Sequence, residues 1–395
     1  LRSTRNYLAN CIKFRNRVIL YFEIYLSGRR MIPGWKLKRE LERLRQQFQI
    51  IPEAIWEPFA RRKHDIALAR RFKITEGEIP LNSKVAIVLC WQPNGLANSF
   101  FMTLKHLISN GYAPFVVSNA PISEIDMLSL QSRVWRVMER PNFGYDFGGY
   151  RDGLLILRSD GIKTDRLIIM NDSVWFPIWP NDQLIKRAEA APFDVVGTIL
   201  REKGKVAFLE SYFFSIRGSV LDQPEFCHFW DSIRLTSNKY KVIRRGERGF
   251  GKALNDAGIS MGALFPPDVF KNMISKTDDL NIREILNYMS VVDPKLNIEA
   301  QILATGKGSN WRLTVDKFIA SVLEKLQPYS TFPILSAGHL NYPVLKKSGE
   351  PVSLIWRETF LRAVLDGALP PPLPEVLIEL QQSSQSNHGL QITEK

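Results

Sequence analysis

"KVAIVLCWQPNGLANSFFMTLKHLISNGYAPFVVSN", residues 84–119, holds two short apolar runs separated by a segment of a different period. KVAIVLCW (84–91) and APFVVSN (113–119) are rich in β-branched and aromatic residues and read as buried strands. NSFFMTLKHLISNG (98–111) spaces its apolar residues as a helix, opens on Asn98 as an N-cap and stops at Gly111. The unit then recurs. SEIDMLSLQS (123–132) is a short helix with a capping signal, VWRVMER (134–140) a strand, YRDGLLILRSDG (150–161) a helix, and DRLIIM (165–170) a strand. Strand and helix alternating in this way predict a mostly parallel sheet with helices on both faces, an α/β fold.

Downstream, NDQLIKRAEAA and PEFCHFWDSIR read as helices, DVVGTIL and FLESYFFSI as strands, ERGFGKALNDAG (247–258) as a helix and MGALFP as a strand. Four regions follow: a basic helical arm at 1–73, an α/β domain at 80–270, a helical region at 271–368, and a Pro-rich linker with a disordered tail at 369–395.

The net charge of +13 is unevenly placed. Residues 1–73 carry 18 Lys or Arg against 6 Asp or Glu, while the other 322 carry 35 against 34. In the arm, Leu8, Ile12, Val18, Ile19, Phe22, Tyr25 and Leu26 share one side, flanked by Arg15, Arg17, Arg29 and Arg30. A basic amphipathic helix of this kind fits an anionic membrane surface. A neutral body without a recognisable nucleic-acid motif argues against a nucleic-acid partner. No apolar run reaches the ~18 residues of a membrane span. The expected place is therefore cytoplasmic, peripheral on the inner face of the cell membrane. Cys11, Cys90 and Cys227 are odd in number and widely spaced, so neither a disulfide framework nor a zinc site follows. The chain starts with Leu1, so its natural start is expected upstream or at an unusual codon.

In an open parallel sheet, ligands bind beyond the carboxyl ends of the strands. Two charged motifs fall there. In RPNFGYDFGGYRDGL (140–154), Gly144, Gly148 and Gly149 let backbone approach a ligand, and Arg151 can take a phosphate. Either Asp146 or Asp152 can accept from a sugar hydroxyl. The competing explanation is a glycine-rich turn whose aspartates cap a helix. The second motif, Asn171-Asp172-Ser173, ends an apolar strand, where an aspartate is poorly placed for packing but well placed for a metal–diphosphate or a ribose. Glu247, at a helix start after YKVIRRG, suits a general base. Glu210, in apolar surroundings, is a weaker candidate. The chain has no G-x-S-x-G, H-E-x-x-H or Walker A motif, which argues against the common hydrolase and NTPase chemistries.

In this order and spacing, RPNFGYDFGGYRDGL, RLIIMNDSVWFPI and FLESYFFSIRGSVL resemble the rhamnan synthesis protein F family of glycosyltransferases, and ERGFGKALNDAG is similar to that family's following helix. The resemblance covers roughly residues 84–270, with a fainter echo at NYPVLKKSGEPVSLIWRETFL (341–361). The arrangement is also similar to the broader GT-A glycosyltransferases. The resemblance implies a GT-A-like fold and places Asn142, Gly144, Asp146, Gly149, Arg151 and Asp152 at the nucleotide-sugar pocket. It gives Asp172, with Asn171 and Ser173 beside it, the metal or ribose position, and Glu247 the role of base. It further implies inversion, rhamnose carried on dTDP, and a lipid-linked or polysaccharide acceptor of cell-envelope (lipopolysaccharide) synthesis. A divalent Mg or Mn is a possible cofactor on Asp172, although NDS has one aspartate where many GT-A enzymes show D-x-D. A non-catalytic nucleotide-sugar or polysaccharide-binding module is the alternative.

Overall fold

The computed structural model describes residues 50–393 except 71, 205 and 237. The chain divides into two compact units, residues 1–63 and 64–395. Helix α1 (Ile50–Ala69) begins in the first and ends in the second. The amphipathic arm, with Arg15, Arg17, Arg29 and Arg30, lies outside the described residues. Its expected boundary at 73 falls too late, because Lys73–Glu76 already forms a strand of the main sheet. Among the described residues, no helix is long and apolar enough to cross a membrane.

The second unit is built on one eight-stranded sheet, ordered β1–β4–β3–β2–β5–β10–β7–β11. The strands are β1 (Lys73–Glu76), β2 (Lys84–Cys90), β3 (Ala113–Ser118), β4 (Arg136–Glu139), β5 (Arg166–Asn171), β7 (Val195–Gly197), β10 (Phe213–Arg217) and β11 (Met261–Ala263). Strands β4, β3, β2 and β5 are mutually parallel, as the alternation predicts. Strand β10 runs antiparallel to both neighbours, β5 and β7, and β1 is antiparallel at the edge. The sheet is therefore mixed. FLESYFFSI is two strands rather than one. Val206–Leu209 (β9) pairs with Leu200–Lys203 (β8) in a separate ribbon, and the chain breaks at Glu210–Tyr212 before β10.

Helix α2 (Asn98–Ser109) joins β2 to β3, α3 (Glu124–Gln131) joins β3 to β4, and α4 (Tyr145–Ser159) joins β4 to β5. Helices α5 (Leu184–Ala190), α6 (Pro224–Ser232), α7 (Lys239–Arg245) and α8 (Glu247–Asp256) follow. Ser123 caps α3 by accepting from Asp126 N. The continuous apolar character of β2 has a direct cause: both its faces are covered. Val85, Ile87 and Leu89 enter a core shared with Phe147 and Tyr150 of α4, Trp230 of α6 and Phe250 of α8. Ala86, Val88 and Cys90 enter the opposite core.

That opposite core runs without interruption from Leu104 of α2 to Ile282, Phe318 and Trp356 of the later helices. Residues 271–368 are thus the cover of one sheet face, not a domain of their own. The expected disordered tail is also corrected. Pro374–Thr393 is helix α9, and its Val376 and Leu380 are completely buried. One helical turn apart, they make a short apolar stripe that the surrounding Gln and Ser conceal in the composition.

Candidate functional site

Strand β5 ends at Asn171, between β2 and β10, so the NDS turn opens at the middle of the sheet. Successive residues of an extended chain project to opposite sides. Asn171 Nδ2 donates to Asp146 Oδ2 at 3.1 Å, and its Oδ1 accepts from Ser173 N at 3.2 Å and Ser173 Oγ at 2.5 Å. Asp172 turns to β2 instead, where its Oδ2 accepts from Trp91 N and Gln92 Nε2, both at 2.9 Å.

The glycine-rich stretch folds differently from its sequence reading. Gly144 (φ 84°) and Tyr145 (φ 48°) are consecutive left-handed residues, and α4 starts at Tyr145, five residues earlier than expected. Only glycine adopts the first of these without cost, and a left-handed Tyr145 stores roughly 1–3 kcal/mol of strain. The reversal places Asp146 in the first turn of α4, where the helix dipole favours a carboxylate. Gly149 is inside the helix, and a Cβ there would lie 2.1 Å from Leu89 Cδ1. Its role is close helix–sheet packing rather than contact with a ligand.

Arg151 and Asp152 are also corrected. Both are buried, and Asp152 has no exposure. Its Oδ2 accepts from Arg140 Nε at 2.6 Å and contacts His64 Nε2 at 2.6 Å, and its Oδ1 accepts from Arg151 Nη1 at 3.2 Å. Burial would raise this carboxyl, but Arg140, His64 and Arg151 hold it below the usual carboxylate range. Arg151 also donates to Asp65 at 2.8 Å and to Trp230 O at 3.1 Å. The network shapes the site from beneath. Arg140 donates to Phe143 O at 2.6 Å and to Asn119 Oδ1, and Asn119 Nδ2 donates to Asn142 Oδ1 at 3.2 Å. The exposed Asn142 and the Gly144 reversal are thereby held in place.

Glu247 is the first residue of α8. A Cβ on the preceding Gly246 would lie 2.3 Å from the Phe147 ring, so α8 starts hard against the first turn of α4. Glu247 Oε1 accepts from Ser211 Oγ at 2.7 Å and Ser211 N at 3.3 Å. Burial pushes this carboxyl above its ordinary value, against the Ser211 hydrogen bonds and with help from the nearby Glu210 charge. Tyr150, whose hydroxyl donates to Ser211 O at 2.8 Å, is raised by burial and by the fields of Asp146, Asp172 and Glu247. Asp146 and Glu247, 101 residues apart in the chain, and Asp172 between them all raise this one buried tyrosine.

Glu210 is not available to a ligand. It is buried, pairs with Lys346 at 2.8 Å, and accepts from Arg201 and, at 3.1 Å, from Tyr329 OH. Burial would raise it, but Lys346 and Arg201 hold it low. Lys346 and Lys347 were not expected at the site. Strand β12 (Leu345–Lys346) pairs with Val174–Trp175 (β6), directly after the NDS turn. The faint echo at 341–361 was the one signal in the sequence for this strand.

The donors around Asp172 do not make a protein-held metal site. One of its oxygens is taken by two N–H groups, and among the described residues no cluster of three or more His, Cys, Asp or Glu could hold an ion.

A family model described as rhamnan synthesis protein F matches residues 115–285. Protein y4gN of Sinorhizobium fredii, itself uncharacterised, is 36% identical over 266 residues, spanning 66% of this chain and 69% of that protein. Among solved structures, the mannosyltransferase PcManGT of Pyrobaculum calidifontis, in complex with GDP-Man and Mn²⁺, aligns over 85% of this chain and 95% of its own, at 9% identity and a TM-score of 0.26. S. aureus TarS aligns over 70% of this chain and 55% of its own, at 13% identity and a TM-score of 0.27. Scores this low carry no weight for fold or function, and the architecture stands on the strand order described above.

Proposed function

The chain belongs to the rhamnan synthesis protein F family, and from that premise we propose that it is a glycosyltransferase moving a sugar from a nucleotide-sugar to a polysaccharide or lipid-linked acceptor. The observation that carries this reading is the meeting of two acid-bearing helix starts beside the NDS turn: Asp146 accepts from Asn171, the neighbour of Asp172, and Glu247 accepts from Ser211, whose carbonyl takes the Tyr150 hydroxyl. The donor lies between the first turn of α4 and the NDS turn. Asp146 and Asp172 accept from its hydroxyls. Glu247 takes the proton of the acceptor hydroxyl, whose oxygen attacks the anomeric carbon. The bond to the diphosphate breaks on the opposite face, and the configuration inverts. A carboxylate raised by burial is a stronger base than one in water, which suits this role. Rhamnose on dTDP is the donor we favour, by family membership.

A thermal-shift panel of nucleotide-sugars, each with and without Mg²⁺ or Mn²⁺, tests the reading. A true donor at a hundred times its Kd adds about 2.7 kcal/mol of stability. In Asp146→Asn and Asp172→Asn, each of which exchanges an acceptor oxygen for a donor, that shift should shrink markedly. An undiminished shift in both variants refutes the site.

The basic arm is proposed to hold the enzyme at the inner face of the cell membrane. Each Lys or Arg near an anionic surface contributes roughly 1 kcal/mol, weakened by salt. Replacing Arg15, Arg17, Arg29 and Arg30 with Gln should reduce co-sedimentation with anionic vesicles at low salt while transfer to a soluble acceptor persists. Wild-type sedimentation by this variant at both low and high salt rules the arm out as an electrostatic anchor.

A further inference from the structure

We propose that Lys347 is the cation that receives the diphosphate of the donor, a role that rests on the glycosyltransferase reading above. The backbone fixes its place. Strand β12 sets Lys346 opposite Val174, and Lys347 N donates to Ser173 O at 2.8 Å, so the lysine is registered against the NDS turn itself. Lys347 borders the same small recess as Asn171 and Asp172, whose other walls, Val88, Phe100, Thr103, Met170 and Val174, carry no charge.

The ammonium is held loosely. It donates to Ser99 Oγ at 3.1 Å, stands 3.7 Å from Glu379 Oε2, and lies 5.3 Å from the Trp175 ring centroid. A full charge-assisted hydrogen bond is shorter, about 2.7–2.9 Å, and an ammonium carries three donors. Donor capacity therefore remains for an incoming anion. Burial lowers the pKa of this lysine, and Glu379 and Asp172 oppose that shift. The surroundings already hold one anionic group. The Glu379 carboxylate accepts from Ser99 N at 2.9 Å, Ser99 Oγ at 2.7 Å and Trp175 Nε1 at 2.7 Å.

Charge balance points the same way. A diphosphate brought next to Asp172 adds negative charge to negative charge, and among the described residues no group of three or more His, Cys, Asp or Glu gathers there. The arginines of the glycine-rich stretch, Arg140 and Arg151, are buried against Asp152, and Lys346 is bound to Glu210. Lys347 is the cation of this set with capacity left. When the anomeric C–O bond breaks, its electron pair settles on the departing phosphate oxygen, and the ammonium stabilises that charge by a hydrogen bond without giving up its proton.

Calorimetric titration with dTDP, UDP and GDP, and with the matching nucleosides, tests the role. For whichever nucleoside diphosphate binds the wild type, Lys347→Met should weaken binding about 10- to 100-fold and leave nucleoside binding unchanged. Lys347→Arg should stay within a few-fold of wild type. Glu379→Gln, which removes the competing negative charge, should tighten diphosphate binding, and this opposite sign is readable even if Lys347→Met fails to fold. Wild-type affinity for the diphosphate in Lys347→Met overturns the lysine's role alone, as does unchanged affinity in Glu379→Gln. If the wild type binds none of the three diphosphates, the glycosyltransferase reading falls, and this role falls with it.

Discussion

Replacing Glu247 with glutamine is expected to leave a folded protein that binds its donor and transfers sugar about 10² to 10⁴ times more slowly, the usual cost of losing a general base. Glutamine keeps an oxygen that can accept from Ser211 Oγ and Ser211 N, so the start of α8 should not move. The variant loses only the ability to hold a proton. Two pH measurements give this prediction independent support. Burial raises the Glu247 carboxyl above its ordinary 4.5. In the wild type the acidic limb of kcat/KM should therefore lie above that value, and in the variant it should vanish. Stability moves in a defined direction too. A carboxyl with a raised folded pKa binds its proton more tightly folded than unfolded. The resulting stabilisation is complete below about 4.5 and is lost as pH rises through the folded pKa. Glutamine has no charge to bury, so the Tm of the variant relative to wild type should climb from pH 4 to pH 8. Full transfer activity in Glu247→Gln would move the base elsewhere, and Glu210 could not replace it while bound to Arg201 and Lys346.

Asp152→Ala should have the largest effect on stability, about 3–5 kcal/mol, because it strands buried positive charge. Arg140 has no side-chain exposure, Arg151 has 5%, and Asp152 is the carboxylate both share. In urea, the midpoint should fall with the slope unchanged. The double variant Asp152→Ala/Arg140→Met should be more stable than Asp152→Ala alone, since it also removes one of the stranded charges. A loss under about 1 kcal/mol in Asp152→Ala would mean that the cluster is not the anchor of the glycine-rich turn. Partial loss of donor binding should accompany the destabilisation, because Arg140 also holds Phe143 O and Asn119.

What the sequence by itself determined is the part governed by local period and by position along a strand. The apolar runs at 84–91, 113–119, 134–140 and 165–170, with helical spacing between them, encode the parallel half of the sheet, because a strand covered on both faces must be apolar throughout. A charged turn at the end of such a strand has no packing use, which is why Asp172 stands out in the sequence as a candidate, while Glu247 stands out as an acid at a helix start. Tertiary structure alone decided the rest. Gly149, Arg151 and Asp152 look like ligand-binding chemistry in sequence, yet α4 begins at Tyr145 and turns them onto Leu89, Trp230 and Arg140. Asn98 looks like the cap of α2, but the N-cap is Ala97, and the free N–H of Ser99 is taken by Glu379, 280 residues away. Lys346 and Lys347 reach the NDS turn by a two-residue strand pairing that no local pattern encodes. Which charges face a crevice and which neutralise one another depends on contacts between distant segments, and burial, not residue type, sets what each charge can do.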